Sequence, residues 1–242
     1  MNSSAKPIAV LVHGAYADSS SFDDVIVGLQ ARGYRAFAIA NPLRSVAADS
    51  DYTKRVLAKL DGPLVLVGHS WGGMVISQAA VGNPNVTALV YLAGFAPESG
   101  ESAADLSGRF PGSSLAETLV AHPLADGSND TYIAPEKYHQ QFAGDLSEEK
   151  AAVMAVTQRP ITDRALGEPA SGDTQAWTNL PSYFLFGDQD RNIPVAAHRF
   201  MAERAGAKRV EEVAGASHVV GMSHPDLAVS VIVDALEAGD RG

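Results

Sequence analysis

The 242-residue chain contains no cysteine. Disulfides, thiolate catalysis and cysteine-ligated metal are therefore excluded, and a cytoplasmic location is the expectation. Positive charge is scarce as well: 18 Lys and Arg stand against 28 Asp and Glu, a formal net charge of −10. Nucleic acid and anionic membrane surfaces both require basic patches, so neither is an expected partner. No uninterrupted apolar run approaches the ~18 residues that would span a bilayer. The opening Met1-Asn2-Ser3-Ser4-Ala5-Lys6-Pro7 lacks the apolar stretch of a signal peptide. Internal repeats and low-complexity tracts are missing too. What is present, 46% hydrophobic and 19% charged residues, is the composition of an ordinary soluble globular protein. The length suffices for a sizeable core, as one domain with an insertion or as two small ones.

The stretch around which the rest arranges itself is Pro63-Leu64-Val65-Leu66-Val67-Gly68-His69-Ser70-Trp71-Gly72-Gly73-Met74-Val75-Ile76. Leu64–Val67 is a continuous apolar run with β-branched valines, the pattern of a parallel strand buried on both faces. Gly68-His69-Ser70-Trp71-Gly72 then matches G-x-S-x-G, in which a serine rides a sharp strand-to-helix turn. The backbone at such a serine is strained and its neighbours two residues away crowd each other, so glycine is needed at 68 and 72. The turn exposes the Ser70 hydroxyl and frees the Trp71 N–H, both beside the positive end of the following helix.

Elsewhere the same alternation recurs. Ile8–Val12 reads as a strand ending at His13-Gly14-Ala15-Tyr16. Asp18 or Ser19 caps a helix carrying Phe22, Val25, Ile26 and Leu29, which Gly33 stops. Tyr34–Ala40 is a strand, Tyr52, Val56 and Leu60 mark a helix, and Val86–Ala93 is the next strand. After Pro97 the composition shifts, and residues 97–177 read as a helical cap insertion whose clearest helices are Leu115–Val120 and Ser147–Val156, without a strong strand. Ser182–Phe186 resumes the sheet. A helix starts at Pro194, Arg209–Val213 is the last strand, and Pro225–Ala238 is the last helix. Strands alternating with helices predict a mostly parallel sheet with helices on both faces. The core is expected to comprise residues 1–96 and 178–242.

Ligands of open α/β sheets gather outside the carboxyl ends of the strands. Four loops leave such ends here: His13–Tyr16, Gly68–Gly73, Gly187–Pro194 and Ala214–His218. They hold a serine, a carboxylate and a histidine in the chain order Ser, Asp, His. With these marks the sequence resembles the α/β-hydrolase superfamily over its whole length. Within it, the chain is similar to the small-cap branch that includes plant methylesterases, hydroxynitrile lyases and bacterial esterases. The matching segments are Leu11-Val12-His13-Gly14-Ala15, Val67 to Gly73, Phe186-Gly187-Asp188-Gln189-Asp190 with Pro194, and Ser217-His218.

The resemblance implies Ser70 as nucleophile and His218, following the last strand, as its base, with His224 as the rival. Asp190 is implied as the acid, ahead of Asp188, which suits a turn cap, and of Glu98, after an earlier strand. His13 and His69 match positions that pack and hydrogen-bond the loops. His122 and His139 fall in the cap, and His198 falls on a helix. The oxyanion hole is implied at the N–H groups of Ala15 and Trp71. Lyase relatives carry threonine where this chain has Gly14, which favours ester chemistry. Trp71 and Tyr16 read as pocket wall or as core, and Phe22 as core. Gln158-Arg159-Pro160 resembles a recurrent cap tripeptide. The expectation is a serine hydrolase of a small carboxylic ester, without cofactor or metal, acting as monomer or homodimer. The rival expectations are a lyase or carbon–carbon bond hydrolase on the same triad, and a non-catalytic small-ligand receptor.

Overall fold

The computed structural model describes residues 6–239; Met1 to Ala5, on which part of the N-terminal reading falls, lie outside the described residues. Nine strands alternate with ten helices among them. In chain order they are β1 (Ile8–Val12), α1 (Asp23–Ala31), β2 (Arg35–Ile39), α2 (Val46–Leu57), β3 (Leu64–His69), α3 (Trp71–Ala79) and β4 (Val86–Leu92). Then come α4 (Ala103–Gly108), β5 (Leu119–Pro123), β6 (Asn129–Ile133), α5 (Pro135–Phe142), α6 (Glu148–Thr157), β7 (Ile161–Thr162) and α7 (Asp163–Gly167). The chain closes with β8 (Ser182–Gly187), α8 (Val195–Arg204), β9 (Arg209–Val213), α9 (Val220–Ser223) and α10 (Pro225–Gly239).

Six strands form one wholly parallel sheet in the order β2-β1-β3-β4-β8-β9. The central strands β1, β3 and β8 are buried along their whole length, which is why they read as unbroken apolar runs. Because side chains alternate across a strand, the sheet feeds two cores. Val10, Leu66 and Phe184 face one side with Met74, Leu57 and Met201 of α3, α2 and α8. Ala9, Leu11, Val65 and Val67 face the other with Val25 and Leu29 of α1 and Val231 and Ile232 of α10. Among the described residues, no helix is long and apolar enough to cross a membrane.

Of the two helices expected in segment 97–177, one is present, and the segment also holds strands that the sequence reading did not mark. Leu115–Val120 is not a helix: a single 3-10 turn at Leu115–Thr118 leads into β5. β5, β6 and β7 form a small antiparallel sheet. Most of β5 is exposed, so it lacks the apolar run that betrays a buried strand. The β5–β6 turn is closed by the Leu124 N–H on the Ser128 carbonyl at 2.8 Å, with Gly127 at φ +80°. Asp126-Gly127, a hairpin dipeptide, was the available sign of this turn. Helix α6 falls where it is expected, with Ser147 capping the Lys150 N–H.

Candidate active site

Ser70 sits between β3 and α3 with φ +52° and ψ −120°, a region that non-glycine residues rarely enter. The turn is held by the Ser70 carbonyl, which accepts N–H groups from Gly73 at 2.9 Å and Phe95 at 3.2 Å. The flanking glycines explain why the turn can be so tight. A Cβ at Gly68 would lie 2.6 Å from the Gly72 carbonyl oxygen, and one at Gly72 would run into the Val12 carbonyl of β1. The expected crowding of 68 against 72 is therefore present at Gly68, whereas Gly72 is constrained by the neighbouring strand.

The other expected residues arrive at the same edge of the sheet, from the loops after β1, β8 and β9. His218 Nδ1 lies 2.7 Å from Asp190 Oδ2. The opposite nitrogen, Nε2, is buried and has no hydrogen-bond partner among the described residues. The ring of His218 is wedged between Phe142, with centroids 5.0 Å apart, and His69, at 4.9 Å. Ser70, His218, Ala15 and Trp71 all line one cavity of about 320 Å³. Its walls are mostly apolar and include Phe142 and Leu166; among the residues lining it, Glu117 is the one Asp, Glu, Lys or Arg. The Ala15 N–H makes no hydrogen bond among the described residues. Trp71 is the first residue of α3, where an N–H has no partner within the helix.

Asp190 is fully enclosed. Its Oδ1 accepts the N–H groups of Asn192 at 2.8 Å and Ile193 at 3.0 Å, and its Oδ2 faces both His218 and His198. Burial alone would push its carboxyl up, but electrostatic attraction to the His218 imidazole and the hydrogen bonds from His198 and His218 outweigh that and hold it well below the usual carboxylate range. Nitrogen and oxygen stand at direct hydrogen-bond distance, which leaves no room for an ion between them. Among the described residues, no group of three or more His, Asp or Glu side chains could hold a metal.

The rivals are placed elsewhere. Asp188 accepts the Gly215 N–H at 2.7 Å and so serves the turn. Glu98 pairs with Arg204 at 3.6 Å, and His224 Nδ1 faces the Ser223 hydroxyl at 2.9 Å. His13 donates from Nδ1 to the Gly14 carbonyl and accepts the Asn41 N–H at Nε2, while His69 Nε2 reaches the His218 carbonyl at 3.1 Å. Both histidines thus brace the loops. Burial drives the His13 imidazole down to about 4 and the His69 imidazole down to about 3. His122 and His139 stay in segment 97–177, the latter on the Leu146 carbonyl. His198 lies on a helix as expected, but the sequence reading missed its contact with Asp190. It also missed buried Asp49, whose Oδ2 accepts the Trp71 indole N–H at 2.9 Å.

A model of the alpha/beta hydrolase family matches residues 9–231. The chain belongs to the alpha/beta hydrolase family. Within this family it is similar to esterase PIR7B of Oryza sativa subsp. japonica, at 28% identity over 96% of this chain and 97% of that protein. Alpha-hydroxynitrile lyase of Arabidopsis thaliana is 22% identical over 89% of this chain and 92% of its own length. The crystal structure of polyneuridine aldehyde esterase shares the alpha/beta hydrolase fold with a TM-score of 0.80 at 20% identity, covering 95% of this chain and 99% of that one.

Proposed function

We propose that this chain is a carboxylesterase: a serine hydrolase that cleaves a small, neutral carboxylic ester through an acyl-enzyme. The observation that carries this reading is the His218 imidazole, bound to Asp190 through Nδ1 while its Nε2 is unpartnered, in the cavity that Ser70 also lines. Asp190 is an ionised acceptor, so His218 carries its proton on Nδ1 and presents a bare Nε2. Nε2 takes the Ser70 proton as the hydroxyl oxygen attacks the ester carbonyl, and the Asp190 charge stabilises the imidazolium that forms. The N–H groups of Ala15 and Trp71 receive the oxyanion. His218 gives the proton to the departing alcohol and then activates water to release the acid. The apolar wall, with Glu117 as its one charged side chain, favours neutral acyl groups over anionic ones.

A cyanohydrin lyase on the same residues is the second reading, supported by the similarity to the Arabidopsis enzyme. Gly14 weighs against it: a Cβ there would lie 2.6 Å from the Ser70 Cβ and 2.8 Å from the His69 carbonyl oxygen. The test compares wild type and Ser70→Ala on p-nitrophenyl acetate, short-chain aliphatic esters and mandelonitrile, with fluorophosphonate labelling of both. Ester turnover and labelling that both vanish in Ser70→Ala are expected. Cyanohydrin cleavage with negligible ester turnover would transfer the case to the lyase.

A further inference from the structure

Asp190 Oδ2 is shared by two imidazoles. His218 Nδ1 lies at 2.7 Å and His198 Nε2 at 3.0 Å. His198 belongs to α8, eight residues beyond the acid, and its side chain is fully buried. Its ring stacks on Phe186 of β8, with centroids 4.8 Å apart and planes 10° from parallel. A carboxylate has lone pairs only, so the nitrogen facing it must carry a proton. His198 is thereby fixed with its hydrogen on Nε2. Its Nδ1 is buried without a partner among the described residues. A proton there would be a buried donor on a charged ring with nothing to receive it, so the ring is neutral. Burial acts in the same direction and lowers the affinity of His198 for a second proton.

We propose that His198 is a positioning residue of the active site: a neutral imidazole that locks the Asp190 carboxylate while leaving its negative charge to His218. This rests on the triad reading above. The Asn192 and Ile193 N–H groups hold Oδ1, and His198 holds Oδ2 together with His218. Rotation of the carboxylate about its Cβ–Cγ bond would break four bonds at once, the one to His218 included. A lysine or arginine donor could hold the oxygen equally well, but its positive charge would weaken the attraction that His218 feels as it accepts the Ser70 proton. A neutral donor supplies the geometry without that loss.

The test compares full-length wild type, His198→Gln and His198→Leu on p-nitrophenyl acetate, reading kcat and KM separately and recording Tm. Leucine removes the donor, and kcat is expected to fall by about 10- to 100-fold with KM within about 2-fold. Glutamine restores one N–H, and kcat is expected to return to within about 3-fold of wild type. A wild-type kcat in His198→Leu overturns the proposal, as does an equal kcat loss in both variants. Histidine ¹⁵N spectra of the wild type, assigned by the signal lost in His198→Gln, test the charge independently of whether the leucine variant folds. They should show His198 protonated on Nε2 alone at pH 7, and a doubly protonated ring overturns the proposal. Turnover that survives Ser70→Ala would instead refute the triad itself, so the two failures are distinguishable.

Discussion

At the scale of single residues, the chemistry depends on where protons rest. Asp190 accepts from two backbone N–H groups and two imidazoles, and burial leaves it no water to turn to. Asp190→Asn keeps the size but replaces an acceptor by a donor at one of its two terminal atoms. With the new NH2 at the Oδ2 position, both His218 and His198 face a donor and must lose their bonds or adopt the opposite tautomer; with it at Oδ1, the Asn192 and Ile193 N–H groups lose their acceptor. Turnover of p-nitrophenyl acetate should fall by roughly 10⁴-fold, as for the corresponding change in serine protease triads, while fluorophosphonate labelling slows in parallel. Near-normal rates would release Asp190 from this role. Of the candidate site, the turn at Ser70 could be read from the chain because its two glycines follow backbone demands, whereas Asp190, with its proline four residues on, and His218 came with the family resemblance. The second imidazole came from neither. Nothing at position 198 distinguishes a histidine stacked on Phe186 from any other on a helix. Its contact exists only because the 190–194 turn folds the start of α8 back over the acid.

At the scale of elements, legibility follows burial. β1, β3 and β8 are covered on both faces and announce themselves as apolar runs. β5 pairs in register with β6, Leu119 opposite Ile133 and Pro123 opposite Asn129, yet four of its five residues are exposed. Its identity depends on a partner strand rather than on its own composition. The β3–α3 joint makes the sharpest structural prediction. A methyl group at position 72 would collide with the Val12 carbonyl, which belongs to a central strand and has nowhere to move. Gly72→Ala should cost about 3 kcal/mol or more of stability, measured by urea unfolding, and should lower activity in whatever fraction remains folded. Gly82, with nothing within 4 Å of a Cβ but φ +74°, supplies the contrast: Gly82→Ala should cost only about 1 kcal/mol.

At the scale of the whole molecule, buried histidines make stability depend on pH. His13 and His69 are held neutral in the fold, with imidazoles lowered to about 4 and about 3 by burial. In the unfolded chain each titrates near the ordinary value of about 6.5. Between those limits the unfolded state binds more protons, so stability rises with pH. The contribution is complete above about pH 6.5 and is lost progressively as the pH falls towards 4 and then 3. The urea midpoint should therefore drop steadily from pH 6.5 to 4. His13→Gln can still donate to the Gly14 carbonyl and accept the Asn41 N–H. It should flatten that slope by close to one proton, about 1.4 kcal/mol per pH unit. An unchanged slope would mean that His13 is already charged in the fold.

Segment 97–177 is stitched to the rest of the molecule at the loops after β1 and β2. The Tyr16 N–H bonds the Arg159 carbonyl at 2.9 Å, the Tyr138 hydroxyl donates to the Tyr16 carbonyl at 2.6 Å, and Arg44 reaches the Pro160 carbonyl at 3.0 Å. Gln158, for its part, grips both backbone groups of Ile133 in β6. Tyr16 itself is held at φ +60°. The tripeptide Gln158-Arg159-Pro160 is thus a mortise between segment 97–177 and those two loops. Engineers who transplant segment 97–177 from another hydrolase to change substrate range will need to bring the matching joint with it, or the Ala15 N–H next to Tyr16, the proposed oxyanion donor, will drift out of line.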